Sequence, residues 1–115
     1  MTEPAYVPDA GDLIWTDFDP TRGREQAGWR PALVVSASRF TLNTGLAVVC
    51  PVTSRIRPFP TSVVLPPGLS VGGEVLISHI RSIDIRAQFV TYTGASIDAH
   101  TAALISAKLA AVIAI

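Results

Sequence analysis

Short apolar runs rich in β-branched residues, each closed off by glycine, proline, asparagine or serine, recur between residues 11 and 93. This punctuation constrains the fold more than any other feature of the chain. A strand buries side chains with a period of two and ends at such residues, so the pattern specifies a small all-β sheet or barrel. GDLIWTDF (11–18) reads as the first strand, with Leu13, Trp15 and Asp17 on one face and Ile14, Thr16 and Phe18 on the other. Trp15 is expected in the core. PALVVS (31–36) and GLAVVCPVT (45–53) are nearly continuous apolar runs and read as central strands. SVVL (62–65), GEVLIS (73–78) and QFVTYT (88–93) bring the number to roughly six, and SASRFTLNTG (36–45) reads as a surface loop with one helical turn.

The tail has a different period. Leu104, Ile105, Leu109, Val112 and Ile113 fall on one helical face, with Ser96 or Asp98 in position to cap the helix. The expected architecture is mainly β with one C-terminal helix packed on a strongly bent sheet. Periodicity does not separate an SH3-like barrel from an OB-type barrel. The 115 residues make a single domain over 1–115.

Apolar residues make up 49% of the chain at a mean hydropathy of +0.41, which implies that another subunit covers part of the surface. Cys50 is the only cysteine and sits in the apolar run VVCPV, so it reads as a buried thiol in a reducing compartment. MTEPAYVPDA has no apolar signal-peptide core, and AALISAKLAAVIAI holds 14 residues with Lys108 inside, too few to span a bilayer. A cytoplasmic protein with no membrane partner is the expectation.

Net charge is zero, which excludes a global field that would hold nucleic acid. The charges are nevertheless segregated. Residues 1–19 carry five acids and no base, whereas residues 22–57 carry six arginines against one acid, Glu25. Four of these charges, Arg22, Arg24, Glu25 and Arg30, crowd into PTRGREQAGWRP (20–31), a connection far longer than a tight turn needs. Arginine suits planar, bidentate contact with phosphate, although scattered solvated charges would give the same count. His79 and His100 stand apart with no metal-ligand spacing, and Gly-rich phosphate loops are absent, so no metal and no cofactor are expected. Arg30 precedes the second strand and Thr53 ends the third. If those strands pair antiparallel, a guanidinium and a hydroxyl converge as a phosphate-binding pair; otherwise Arg30 is a solvated strand end and Thr53 an ordinary strand former.

GDLIWTDFDPTRGREQAGWRPALVVS resembles the N-terminal signature of the MazF/PemK toxins, roughly GDxxxxxFxPxxGxEQxGxRPxxVxS. The match continues through CPVTS (50–54), PFP (58–60) and IRSID (80–84), and so covers nearly the whole chain. The resemblance implies an SH3-like barrel of the PemK/CcdB type, a homodimer, and a metal-independent endoribonuclease that cuts short sequences in single-stranded RNA, here mRNA. It further implies a partner, a MazE-like antitoxin whose acidic segment covers the RNA groove. Arg30 and Thr53 match the family's catalytic pair, and Glu25 matches a glutamate at the same site.

The chemistry open to such residues without a metal is attack of the neighbouring 2′-OH on phosphorus, giving a 2′,3′-cyclic phosphate and a 5′-OH. Arg30 would stabilise the phosphorane oxygens and Thr53 would bind a second oxygen. Because an arginine cannot be deprotonated in proteins, Glu25 is the better proton acceptor. Arg24, Arg55 and Arg57 lie in loops that would flank the groove, and Gln26 and Ser54 belong to the matching motifs. Trp29 is expected exposed, for base stacking or antitoxin contact. His79 and Arg81 complete the expected RNA-binding set. Ser78-His79 replaces the Asp-Gln or Glu-Gln of many relatives, which leaves base preference open. The readings that compete are a CcdB-like toxin that binds a protein such as DNA gyrase without cutting RNA, and a catalytically silent RNA-binding barrel.

Overall fold

In the computed structural model, which describes residues 5–18 and 29–114, seven strands and two helices follow one another along the chain. The strands are β1 (Asp12–Asp17), β2 (Trp29–Val34), β3 (Leu46–Thr53), β4 (Ser62–Val64), β5 (Glu74–Leu76), β6 (Arg81–Asp84) and β7 (Val90–Ser96). Helix α1 (Ser38–Thr44) lies between β2 and β3, a 3₁₀ turn covers Ile77–His79, and α2 (Ala99–Val112) ends the chain. All strand pairs are antiparallel, in the order β4-β5-β3-β2-β1-β7 with β6 also on β3.

The bend comes from β3, which changes partner along its length. Leu46–Val49 pair with β6, whereas Val52 and Thr53 pair with β5. Pro51, which brings no N–H to a ladder, occupies the switch. Both faces of the sheet bury hydrocarbon as a result. Leu13, Leu33, Cys50, Val52 and Val75 pack on one side together with Ile105 of α2, and Ile14, Ala32, Val34, Val49 and Ile83 pack on the other. The alternation read from GDLIWTDF holds, since Leu13 and Ile14 fall in opposite clusters and Phe18 packs against the second. Cys50 is buried as expected, and burial pushes its thiol up to about 11.

Local signals account for the helix ends. Asp98 caps α2, with its Oδ1 accepting from the Thr101 N–H at 3.1 Å. Hydrogen bonding to the Thr101 hydroxyl, then to its amide, holds the Asp98 carboxyl below its ordinary value. Gly45 closes α1 in the left-handed region at φ 78°, where its N–H reaches the Thr41 carbonyl.

The structure corrects several expectations. The loop over 36–45 contains a seven-residue helix, α1, whose buried residue is Thr41. A seventh strand, β6, lies in IRSID; with Ile83 as its only buried residue it lacks the apolar run that marks the other strands. β2 begins two residues before Pro31, and the last strand runs over 90–96, later than QFVTYT suggested. In α2 only Thr101 and Ile105 are buried. Leu109 is half-buried against the core, while Leu104, Val112 and Ile113 of the expected apolar face are exposed. Among the described residues no helix is long and apolar enough to cross a membrane.

Because Ile105 alone carries α2's fully buried hydrocarbon, Ile105→Ala is expected to lower unfolding stability by about 2–4 kcal/mol. Chemical denaturation monitored by tryptophan fluorescence measures this.

Candidate functional site

Three β2–β3 pairs, Ala32↔Pro51, Leu33↔Cys50 and Val34↔Val49, fix the register of the two strands. Extended by two residues beyond Ala32↔Pro51, that register would set Arg30 opposite Thr53. Residues opposite one another in an antiparallel ladder point to the same side, and both residues line one open trough of about 430 Å³. Trp15, Trp29, Pro31, Val52, Ser54 and the Ser70–Gly72 segment complete its wall. The two residues of the predicted pair therefore share one trough.

Thr53 is held for donation. Its Oγ1 accepts from the Arg55 N–H at 3.1 Å, an arrangement that orients the oxygen and leaves its own proton to donate into the trough. Trp15 is 39% exposed on this wall, which corrects its expected place in the core. It sits beyond Leu13 in the same alternation, where the apolar cluster gives way to the open trough. Trp29 is exposed, as expected, and its ring meets Phe89 at a centroid distance of 5.6 Å and an interplanar angle of 31°. Phe89, Ser70, Val71 and Gly72 were not singled out from the sequence. Exposed aromatic residues in loops carry no periodic signal, and Phe89 becomes informative only through its contact with Trp29.

The other expected positions divide. Arg55 and Arg57 are exposed on the β3–β4 connection next to Ser54. His79 is exposed at the end of the 3₁₀ turn and does not line the trough. Arg81 lies in β6, where its Nη2 donates to the Phe18 carbonyl at 3.4 Å and its guanidinium stands 5.1 Å from the centre of the Phe18 ring. It braces the point at which β1 runs into the arginine-rich loop. Arg22, Arg24, Glu25 and Gln26 lie outside the described residues. Among the described residues no three His, Cys, Asp or Glu side chains gather in a cluster able to hold a metal ion.

Beside Thr53, across the β3–β5 ladder, lies a buried acid that the sequence reading missed. Glu74 pairs with Thr53 across β5 and β3 and is 1% exposed. Its Oε1 accepts from the Arg57 N–H at 2.7 Å and its Oε2 accepts from the Ser62 hydroxyl. Hydrogen bonding to Ser62, then to the Arg57 amide, holds its carboxyl below the ordinary glutamate value despite burial, which acts the other way. Gly73, at φ 133°, brings its Cα so close to β3 that a Cβ would stand 2.3 Å from the Thr53 carbonyl oxygen. Only glycine fits there.

Comparison with known proteins agrees with this architecture. The family model described as PemK-like, MazF-like toxin of type II toxin-antitoxin system matches residues 9–113. The endoribonuclease toxin MazF of Escherichia coli (strain K12) is 43% identical over 104 residues, covering 90% of this chain and 92% of that protein. A crystal structure of MazF from Deinococcus radiodurans superposes with a TM-score of 0.84 at 43% identity, over 96% of this chain and 100% of that one. A MazE-MazF crystal structure from the same organism gives 0.83 at 40% identity, over 96% and 99%. The bent sheet with its C-terminal helix is thus the barrel-like fold of these proteins.

Two outcomes follow from β5. Gly73→Ala is expected to cost about 1–3 kcal/mol for the backbone region alone, with further loss from the clash at Thr53; denaturant titration measures it. Since the folded Glu74 carboxyl titrates below its ordinary value of 4.5, its contribution to stability is complete above that value and is lost as pH falls through the folded one. Thermal melts of wild type and Glu74→Gln should therefore differ by a constant margin above about pH 5 and converge below it.

Proposed function

The chain belongs to the PemK-like, MazF-like toxins of type II toxin-antitoxin systems, and on that premise we propose that it cuts single-stranded mRNA at short sequences, without a metal, by attack of a 2′-OH on the adjacent phosphorus. It is an endoribonuclease, as the relatives that match it over most of their length are named. The observation that carries the mechanism is the placement of Arg30 and Thr53 on one trough beside exposed aromatic rings.

In this reading the 2′-oxygen forms a bond to phosphorus while the bond from phosphorus to the 5′-oxygen breaks, through a pentavalent intermediate. The proton on the 2′-OH passes to Glu25, and the departing 5′-oxygen takes a proton from a solvent water to leave as a 5′-OH. Arg30 acts as a cationic hydrogen-bond donor to the equatorial oxygens, because a guanidinium gives up no proton in a protein. Thr53 donates its hydroxyl proton to a second oxygen. Arg24, Gln26, Ser54, Arg55 and Arg57 hold the neighbouring phosphates, and Trp29 with Phe89 stacks a base splayed out of the strand. His79 reads a base farther along the groove, and Arg81, expected from the sequence to join it, instead braces the wall through Phe18.

The same basic trough suits an acidic, flexible antitoxin segment, and the MazE-MazF complex of a relative supports that partner. The exposed Leu104, Val112 and Ile113 of α2 support a homodimer, which light scattering measures.

Purified protein incubated with mixed-sequence RNA in EDTA is expected to give sequence-restricted cuts with 5′-OH ends. Arg30→Ala and Thr53→Val should each lower kcat by about 10²–10³. A single 2′-deoxy substitution at the cut site should stop cleavage, and persistence of cutting there refutes 2′-OH attack. RNA left intact by wild type favours a toxin that works by binding a protein, or a catalytically silent RNA-binding barrel.

A further inference from the structure

We infer that Glu74, with Gly73 beside it, is a positioning residue for RNA binding: it fixes the shape of the β3–β4 loop so that Arg55 and Arg57 meet the phosphates of the bound strand. This rests on the reading of the trough as an RNA site. Glu74 lies outside the motifs that carry the family resemblance, and it is the one carboxylate among the described residues that is fully buried.

A part in proton transfer is ruled out by geometry. Glu74 does not line the trough, and its two carboxylate oxygens are committed, one to the Arg57 N–H at 2.7 Å and the other to the Ser62 hydroxyl. Both bonds point into the loop. Ser62 in turn accepts from the Phe59 N–H at 3.0 Å, so a single side chain from β5 ties down residues 57, 59 and 62. From the far side Lys108 of α2 donates to the Pro60 carbonyl at 2.8 Å and the Ser62 carbonyl at 2.9 Å. At the near end Gly73 packs under the Thr53 carbonyl, and Thr53 Oγ1 holds the Arg55 N–H at 3.1 Å. Each arginine of the loop is thus fixed through its own amide, Arg55 by the threonine that shares the trough with Arg30 and Arg57 by the buried glutamate.

A carboxylate is an unusual choice for a buried anchor, because its desolvation is costly unless several donors compensate it. Here the donors are a loop amide and a hydroxyl. A loop ordered in advance spares RNA binding the entropy of fixing it, which otherwise weakens affinity. Loss of the anchor should therefore appear in RNA affinity and leave the chemical step alone.

The test uses Glu74→Val, Glu74→Gln and Ser62→Ala in the full chain, with Ile105→Ala as a control that destabilises the core elsewhere. Hydrogen exchange of the Arg57 amide reads the anchor directly, and a 2′-deoxy-substituted RNA oligonucleotide reads affinity without cleavage. Glu74→Val is expected to speed Arg57 exchange at least tenfold relative to core amides and to weaken binding about tenfold, as ordering costs return. The slope of log affinity against log salt should shrink by about 0.7 for each phosphate that the loosened loop no longer neutralises. Ser62→Ala should move both readouts the same way by less, and Glu74→Gln, which keeps an acceptor for the Arg57 amide, should restore most of the affinity. Where wild type cleaves, kcat at saturating RNA should stay within about threefold, since the groups on phosphorus are untouched. Unchanged Arg57 exchange, or faster exchange with unchanged affinity and salt slope, overturns the proposal, as does an equal loss of affinity in Ile105→Ala. If wild type binds the oligonucleotide but cuts no RNA, the nuclease reading fails while the binding measurements still decide the role of Glu74.

Discussion

Strand β3 is bonded to β2 on one side and to β6 and then β5 on the other, and the chemistry of the molecule follows from that division. A strand shared along its length by two partners must twist between them, which curls the sheet and lets apolar clusters form on both of its faces. The C-terminal end of β3 is then gripped from both sides. β2 brings Arg30 to the trough that Thr53 lines, while β5 and the glycine before it bring Glu74 and Gly73 against Thr53 and the loop beyond it. Moving β3 by one residue against β2 would turn Thr53 to the other face and bring Val52 opposite Arg30. The buried ladder Ala32↔Pro51, Leu33↔Cys50, Val34↔Val49 opposes that slip, because its apolar residues would exchange cores.

The parts of this arrangement that could be read from the sequence are those with a local signature. Alternation in GDLIWTDF sorted Leu13 from Ile14 correctly, and the run VVCPV placed Cys50 inside. The position of Arg30 before Pro31 and of Thr53 at a strand end sufficed, with antiparallel pairing, to put them together. What escaped was non-local. β6 has one buried residue and so no run to detect. The helical face of α2 was drawn from periodicity, yet Leu104 and Val112 are apolar without being covered in this chain. Trp15 obeys the alternation and still faces the open wall, because alternation says which face and not where the core ends. Glu74 offered no signal at all. An acid between glycine and valine reads as a solvated strand residue until the loop it binds is seen to fold back over it.

The zero net charge is informative once the charges have positions. Binding a polyanion needs local positive potential rather than a positive molecule, and a field focused between loops is enough to guide and hold RNA. Arg30 at the trough wall and Arg55 and Arg57 on the adjoining loop supply cations on one side of the sheet end. Arg81 is placed differently, against the ring and carbonyl of Phe18, where its stem and plane also help to fix the exit from β1. Arginines of one type thus divide into those presented to solvent at the trough and one built into its frame.

Holding such cations still presents a conflict. The usual way to order an arginine is an ion pair with a carboxylate, but a paired guanidinium has part of its field cancelled and its donors occupied, which defeats its use on phosphate. Glu74 avoids the conflict because it bonds the backbone N–H of Arg57 and not the side chain. The peptide is fixed while the guanidinium keeps its donors for another anion. Burial of Glu74 serves the same end, since its negative charge lies under the sheet end beside an amide and a hydroxyl that stabilise it. Thr53 treats Arg55 in the same manner, through its amide. Order in the loop is in this way separated from charge on its surface, and a neutral protein can present arginines on a fixed backbone to a strand of RNA.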